Sequence, residues 1–241
     1  MGPVSYQFSL RCLFTCLMRF AAAWCLLGCA AVAQAQAEQD RPIQLSPKLL
    51  DSIAKKYGDS AVVRLNDWTA LMESGGLPSI EEAAKLAQAN EFFNRVQWLS
   101  DLVHWGQEDY WATPVETLAS NGGDCEDFSI GKYFTLLQTK VDNEKLRITY
   151  VKSLTYNQAH MVLAYYPKPD AEPLILDNIN KTILPASQRD DLLPIYSFNG
   201  ESIWLAKARG KKLNADSQKS LPQWKGVNER LLQELNGEAE R

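Results

Sequence analysis

Three residues in the second half of the chain have types and an order that could carry out nucleophilic acyl chemistry. Cys125 lies two residues after a Gly pair, in the first turn of a predicted helix; His160 begins a predicted strand, and Asp177 ends the next predicted strand. A helix N-terminus presents unpaired N–H groups and about half a positive charge, which favours a thiolate and could bind an oxyanion. A His that removes the thiol proton and an Asp that fixes the His tautomer would complete a catalytic triad.

Each of these residues also has a structural interpretation that the sequence leaves open. Cys125 could be a small buried apolar residue, and His160 could be a hydrogen-bonded core histidine. Asp177, which Asn178 follows, could simply form a turn at the end of its strand. Candidates for a further side-chain donor near the oxyanion are Asn90, Gln97 and Trp98.

Acidic residues surround the cysteine at positions Asp124, Glu126 and Asp127. Three bare carboxylates would oppose formation of a thiolate, so their charge needs compensation. One interpretation is a calcium site, because calcium takes about six to eight oxygen ligands. The alternative is a metal-free helix start, in which Asp124 is the N-cap and Asp127 pairs with it in a capping box.

Helical periodicity dominates the chain before Gly106. Ser46 can cap the first helix with Pro47 at its first position, and Ser79 can cap the third helix. The predicted helices cover residues 48–57, 60–73 and 81–103.

After Gly106 the pattern changes from helical to alternating. A loop at 107–123 carries Tyr110 and Trp111, which could line a substrate cleft or pack on the core. A buried helix is predicted over 124–140, and strands over 146–153, 160–166, 174–177 and 202–205. This order predicts an α+β fold in which the helix that carries Cys125 packs on an antiparallel sheet. A last helix, 222–235, is interpreted as part of a mobile or loosely docked tail.

The N-terminus has the pattern of a secretory signal peptide. Fourteen residues of small and apolar type, 20–33, follow Arg19 and lead into an alternating Ala-X-Ala pattern that ends at Ala37. The run is shorter than the ~20 residues of a membrane span, and no later run approaches that length. We therefore expect an exported protein that is not embedded in a membrane. The predicted organisation is a signal peptide at 1–37, a helical region at 38–89, an α+β core at 90–206 and a polar tail or helix at 207–241.

Composition and cysteine usage exclude several classes of protein. The chain has 241 residues and a formal charge of −4; the leader holds two of its 25 basic residues and none of its 29 acids, so the mature charge is −6. An acidic surface argues against a nucleic-acid partner. Four of the five cysteines lie in the leader, so Cys125 has no intramolecular disulfide partner and a Cys-rich zinc site is excluded.

Several separated motifs between about residues 90 and 205 resemble those of the bacterial transglutaminase-like cysteine proteases. They are Trp105-Gly106, the run Asp109 to Pro114 with Glu116, Gly123-Asp124-Cys125-Glu126-Asp127, Lys132-Tyr133-Phe134, the run His160 to Tyr166, and Leu176-Asp177-Asn178. The resemblance implies a papain-like or transglutaminase-like core with extra N-terminal helices. It also implies Cys125 as nucleophile, His160 as general base and then acid, and Asp177 as the residue that orients His160.

The same resemblance implies a cofactor, a compartment and partners. Calcium would lie next to the nucleophile, with Asp124, Glu126 and Asp127 as candidate ligands. The expected activity is periplasmic cleavage of a large surface adhesin at an Ala-rich site near its N-terminus, which releases cells from a biofilm. An inner-membrane receptor that senses cyclic di-GMP would inhibit it. An acyltransferase that uses the same triad and a non-catalytic calcium-binding adaptor are the alternatives.

Overall fold

A computed structural model describes residues 43–206, 211–213 and 215–236. The predicted signal peptide, 1–37, lies outside the described residues. Eight α-helices occur within the described ranges: α1 Pro47–Tyr57, α2 Asp59–Gly75, α3 Glu82–Phe93, α4 Asp101–His104, α5 Pro114–Ser120, α6 Cys125–Gln138, α7 Ser217–Ser220 and α8 Pro222–Leu235. None of these described helices is long and apolar enough to cross a membrane.

The first helix begins as its sequence predicts. The Ser46 side chain accepts a hydrogen bond from the Leu49 N–H at 3.2 Å, and Pro47 occupies the first helical position. Gly58, with a φ of 84°, ends the helix in a conformation that favours glycine. These capping predictions are confirmed because they depend only on residues within one turn of the helix end.

The prediction of one helix over 81–103 is wrong. The helix ends at Phe93, and Glu81 rather than Ser79 is its N-cap. The chain then turns, so that strand β1, Gln97–Trp98, pairs in parallel with β2, Gly122–Gly123. The apolar spacing predicted one continuous buried helix face, but not all of its residues are buried. Val103, at the end of that pattern, is 76% exposed.

The main sheet has seven strands within the described residues, in the order β6-β5-β4-β3-β7-β8-β9, and every neighbouring pair is antiparallel. The strands are β3 Leu146–Ser153, β4 Gln158–Tyr165, β5 Leu174–Leu176, β6 Leu184–Pro185, β7 Leu192–Phe198, β8 Ile203–Leu205 and β9 Lys211–Lys212. The strands predicted from alternation are confirmed as β3, β4, β5 and β8. Sequence reasoning missed β7, because Pro194 interrupts its pattern at an irregularity in the pairing with β3.

Helix α6 packs on this sheet and forms the centre of the protein. Ile130, Tyr133 and Leu136 are buried in one cluster with Leu163 of β4 and Leu176 of β5. The α+β arrangement of a buried helix on an antiparallel sheet is therefore confirmed.

Gly131 of α6 allows α3 to approach closely, and replacing it should destabilise the fold. A Cβ at this position would overlap the ring of Phe93, which is fully buried. We expect Gly131→Ala to lower the free energy of unfolding by about 1–3 kcal/mol, because overpacking outweighs the helix propensity gained. Urea unfolding measures this change. Gly226→Ala in α8 is the matched control, since its Cβ would meet only the flexible Arg230 side chain; an equal response of both variants would contradict the prediction.

Helix α8 matches the predicted range, but the interpretation of loose docking is wrong. Trp224 and Val227 are fully buried, and Leu231 is nearly so. The Trp224 ring stacks on Phe134 of α6, with centroids 5.6 Å apart. Loose docking was predicted from the polar composition of this segment, but its few apolar residues lie on one face of the helix, and that face packs on the core.

Glu234 of α8 should make stability depend on pH. Burial and the nearby Glu116 raise its pKa from 4.5 to about 8, although Thr113 donates a hydrogen bond to it and Arg230 adds positive charge. The folded chain thus retains a proton here that the unfolded chain releases above pH 4.5, so the free energy of unfolding should fall as the pH rises from about 4.5 to about 8.

Glu234→Gln should remove much of this pH dependence. We expect the variant to be more stable than the wild type by about 1–3 kcal/mol at pH 7.5, with little difference at pH 4.5. Urea unfolding at both pH values measures it. Glu229→Gln, an exposed position on the same helix, should follow the wild type. Parallel pH profiles for wild type and Glu234→Gln would contradict the prediction.

Candidate active site

Cys125 is the first residue of α6 and is half-buried. The preceding strand β2 is held by β1, and the Leu99 N–H donates to the Gly123 carbonyl at 2.9 Å. A Cβ at Gly123 would lie 2.6 Å from Asp127 Oδ2, so only glycine permits this approach. Local packing therefore places the thiol at the helix N-terminus.

His160 and Asp177 meet through the pairing of β4 and β5. Leu163 pairs with Leu176, so the next residue, Asp177, reaches the level of Val162. His160 Nε2 lies 2.9 Å from Asp177 Oδ1, and both side chains are buried. Burial opposes ionisation of Asp177, but the hydrogen bond and charge of His160 hold its pKa below the usual range.

The thiol lies beside the strand that carries the histidine. Burial and the charge of Glu126 raise the pKa of the Cys125 thiol, and the nearby backbone of Met161, the residue that follows His160, opposes this shift. The structure brings His160 and Asp177 into direct contact and places the Cys125 thiol near the Met161 backbone of β4.

The surroundings of the Cys125 thiol oppose the effect of the helix N-terminus on its pKa. Burial and the charge of Glu126 raise the pKa of Cys125, and Sγ lies 3.0 Å from Glu126 Oε2. The half charge of the helix end is outweighed because the thiol is desolvated and faces a carboxylate. Some compensating positive charge is needed for a thiolate.

Five carboxylates converge beside Cys125. Oxygens of Asp101, Asp124 and Asp127 lie within 4.8 Å of one another, as do oxygens of Asp101, Asp109 and Glu126. Burial raises the pKa of Asp124 to about 8, and Glu126 adds to this shift. Burial also raises the pKa of Asp101 to about 6, and the charge of Asp124 adds to it. Such a cluster favours either bound protons or a cation.

The capping-box alternative accounts for only part of this cluster. Asp127 Oδ2 accepts from the Asp124 N–H at 3.2 Å, and Asp127 Oδ1 accepts from the Ala112 N–H at 2.7 Å. The Oδ1 atoms of Asp101 and Asp124 are buried without a hydrogen-bond partner among the described residues. Carboxylate oxygens without donors are suitable ligands for a hard cation such as calcium.

Sequence reasoning missed Asp101, Asp109 and Arg189. Asp101 lies on α4, in a segment that the sequence assigned to a continuous helix. Asp109 lies in the following loop, where it was noted as part of a family motif but not as a candidate ligand. Arg189 precedes β7, the strand that was also missed, and donates from Nη2 to Asp177 Oδ2 at 2.7 Å.

Other candidate residues have mainly structural contacts. Trp111 is buried and stacks on Phe198 with centroids 5.7 Å apart, so it packs on the core. The Asn90 amide donates to the Lys181 carbonyl at 2.9 Å. Gln97 and Trp98 are exposed on β1, beside the Gly pair that precedes Cys125.

A thiol at the start of a buried helix, beside a His–Asp pair on an antiparallel sheet, defines the class of papain-like cysteine proteases. The family profile of the bacterial transglutaminase-like cysteine proteinases (BTLCP) matches residues 76–204. The chain belongs to this family and is a cysteine protease.

Solved structures of Legionella pneumophila LapG match most of the chain. EGTA-treated LapG is 43% identical, with a TM-score of 0.68, over 79% of this chain and 100% of that one. A second LapG structure is 42% identical, with a TM-score of 0.66, over 79% and 99%. Calcium-bound LapG is 43% identical, with a TM-score of 0.64, over 76% and 97%. A comparison with curated protein sequences gave no match.

Proposed function

We propose that the chain is a calcium-dependent endopeptidase that uses Cys125, His160 and Asp177 as its catalytic triad. The observation that carries the proposal is the bond between His160 Nε2 and Asp177 Oδ1 at 2.9 Å. It engages one ring nitrogen as donor and leaves Nδ1 as the nitrogen available to the thiol, whose pKa the backbone of the next residue, Met161, helps to lower.

The reaction proceeds through a thioester. His160 Nδ1 takes the proton of Cys125, and Sγ attacks the carbonyl carbon of the scissile peptide. Backbone N–H groups at the start of α6 stabilise the resulting oxyanion. The imidazolium gives its proton to the leaving amine as the C–N bond breaks. A water molecule, deprotonated by His160, then attacks the thioester and releases the acid product and the thiol.

Calcium fits the carboxylate cluster. The candidate ligands are Asp124, Glu126 and Asp127, predicted from the sequence, together with Asp101 and Asp109. Buried carboxylate oxygens without donors support a cation here, and LapG, 43% identical, has been solved in a calcium-bound and an EGTA-treated form. Bound calcium would supply the positive charge that favours a thiolate at Cys125.

We further propose that the protein acts in the periplasm on a large surface adhesin, near an Ala-rich site, and that an inner-membrane cyclic di-GMP receptor inhibits it. The signal-peptide pattern at 1–37 supports export. The proposals of an adhesin substrate and of an inhibitory receptor are based on the sequence motifs that this chain shares with the family.

The test is incubation of the purified chain with the N-terminal segment of a large adhesin from the same genome, with calcium and a labelled amine present. Mass spectrometry should show two fragments that end in a free carboxylate and a free amine. Incorporation of the labelled amine in place of water would identify an acyltransferase. No cleavage by a folded, calcium-loaded protein would reject the adhesin as substrate.

A further inference from the structure

Arg189 is a buried arginine close to the proposed triad. It follows a short 3-10 helix, Ala186–Gln188, and its side chain is 2% exposed. A buried guanidinium is costly to desolvate unless it is paired and hydrogen-bonded. Its position therefore requires acidic partners.

Two carboxylates hold this guanidinium. Arg189 Nε donates to Asp191 Oδ1 at 2.8 Å, and Nη2 donates to Asp191 Oδ2 at 2.9 Å. Nη2 also donates to Asp177 Oδ2 at 2.7 Å. The two bonds to Asp191 offset part of the cost of burying the guanidinium, and the third bond, from Nη2, goes to Asp177.

Asp177 is consequently restrained at both oxygens. Oδ1 accepts from the Ile179 N–H at 3.0 Å and faces His160, while Oδ2 accepts from Arg189. A carboxylate bonded at one oxygen can still turn about its Cβ–Cγ bond, whereas one bonded at both cannot. Burial opposes the charge of Asp177, and the Arg189 hydrogen bond is among the contacts that keep its pKa low.

We propose that Arg189 is a positioning residue for the triad. It holds the Asp177 carboxylate so that Oδ1 accepts the Nε2 proton of His160, which keeps Nδ1 free to take the proton of Cys125. The inference rests on the proposed function and adds a residue that does not touch the substrate. Burial lowers the pKa of Lys132 of α6 to about 7, and the charge of Asp177 opposes this shift.

The kinetic test compares Arg189→Gln with Asp191→Asn in the calcium-loaded chain. Asp191→Asn removes the ion pair between Arg189 and Asp191 but leaves the bond from Arg189 Nη2 to Asp177. We expect Arg189→Gln to lower kcat by about 10- to 100-fold with KM within about twofold, the range seen when the partners that orient metal-binding histidines are removed. Asp191→Asn should stay within about threefold of the wild type. Equal losses of kcat in the two variants would show a merely structural role and overturn the inference.

A spectroscopic test does not depend on any substrate. The chain has two histidines, so ¹⁵N ring spectra contain two sets of signals, and His104→Gln assigns them. Neutral His160 should carry its proton on Nε2 in the wild type and show a mixture of tautomers in Arg189→Gln. An unchanged tautomer overturns the inference. A wild type without protease activity but with this shift would reject the proposed function alone.

If Arg189→Gln does not fold, Arg189→Lys tests the positioning role of Arg189 instead. Lysine keeps the charge between the two carboxylates but lacks the planar fork, so it cannot fix Asp177 in the same way. We expect kcat about 10-fold below the wild type with a similar melting temperature. A wild-type kcat in Arg189→Lys would overturn the positioning role.

Discussion

Replacing Cys125 with alanine should lower the rate of peptide cleavage by at least about 10⁴-fold, because no other group can form the thioester. The Ser129 hydroxyl, one turn further along α6, donates to the Cys125 carbonyl at 2.9 Å. Fragment release from the adhesin segment, followed by mass spectrometry, measures the rate. A residual rate within 100-fold of the wild type would contradict the role of Cys125 as nucleophile.

The same variant separates an enzyme from an adaptor. Cys125 is small, and alanine at this position preserves the helix N-terminus and the packing of α6 on the sheet. We therefore expect Cys125→Ala to melt within a few degrees of the wild type and to bind the adhesin segment without cleaving it. If Cys125→Ala released cells from a biofilm as well as the wild type does, the calcium-binding adaptor would be favoured over the enzyme.

Removal of calcium should abolish cleavage and lower the melting temperature. Without a cation, burial and Glu126 keep the pKa of the Cys125 thiol high, so little thiolate is present. A ligand that binds only the folded state at about 100 times its Kd adds about 2.7 kcal/mol of stability. For a domain of this size that corresponds to a loss of roughly 5–10 °C in EGTA. Calorimetry and the cleavage assay, with and without EGTA, measure both effects.

Two controls make the calcium prediction specific. Excess calcium should restore activity after chelation, whereas magnesium should not, because its small octahedral shell suits this crowded carboxylate set poorly. Asp101→Asn should weaken calcium binding, and Asp67→Asn, an exposed aspartate on α2, should leave it unchanged. Equal melting temperatures and rates with and without EGTA would exclude a functional metal.

The sequence predicted an element correctly where the residues that determine it lie within that element or directly beside it. Helix α6 was predicted to within two residues at each end, because its apolar run and its preceding Gly pair are contiguous. The strands β3 and β4 have unbroken apolar or alternating patterns. The segment 81–103 failed because pairing with the Gly122–Gly123 strand, which is distant in the chain, outweighed a weak helical periodicity.

The sequence by itself determined the fold class and the set of side chains that can perform acyl chemistry, since the order of the thiol, imidazole and carboxylate is a property of the chain. The tertiary structure decided what surrounds them. Asp101 of α4 lies close to Asp124 and Asp127 at the start of α6 only because separate elements pack together, and the same is true of Arg189 and Asp177. Electrostatic interactions depend on distance in space and on burial, and neither can be read from spacing along the chain.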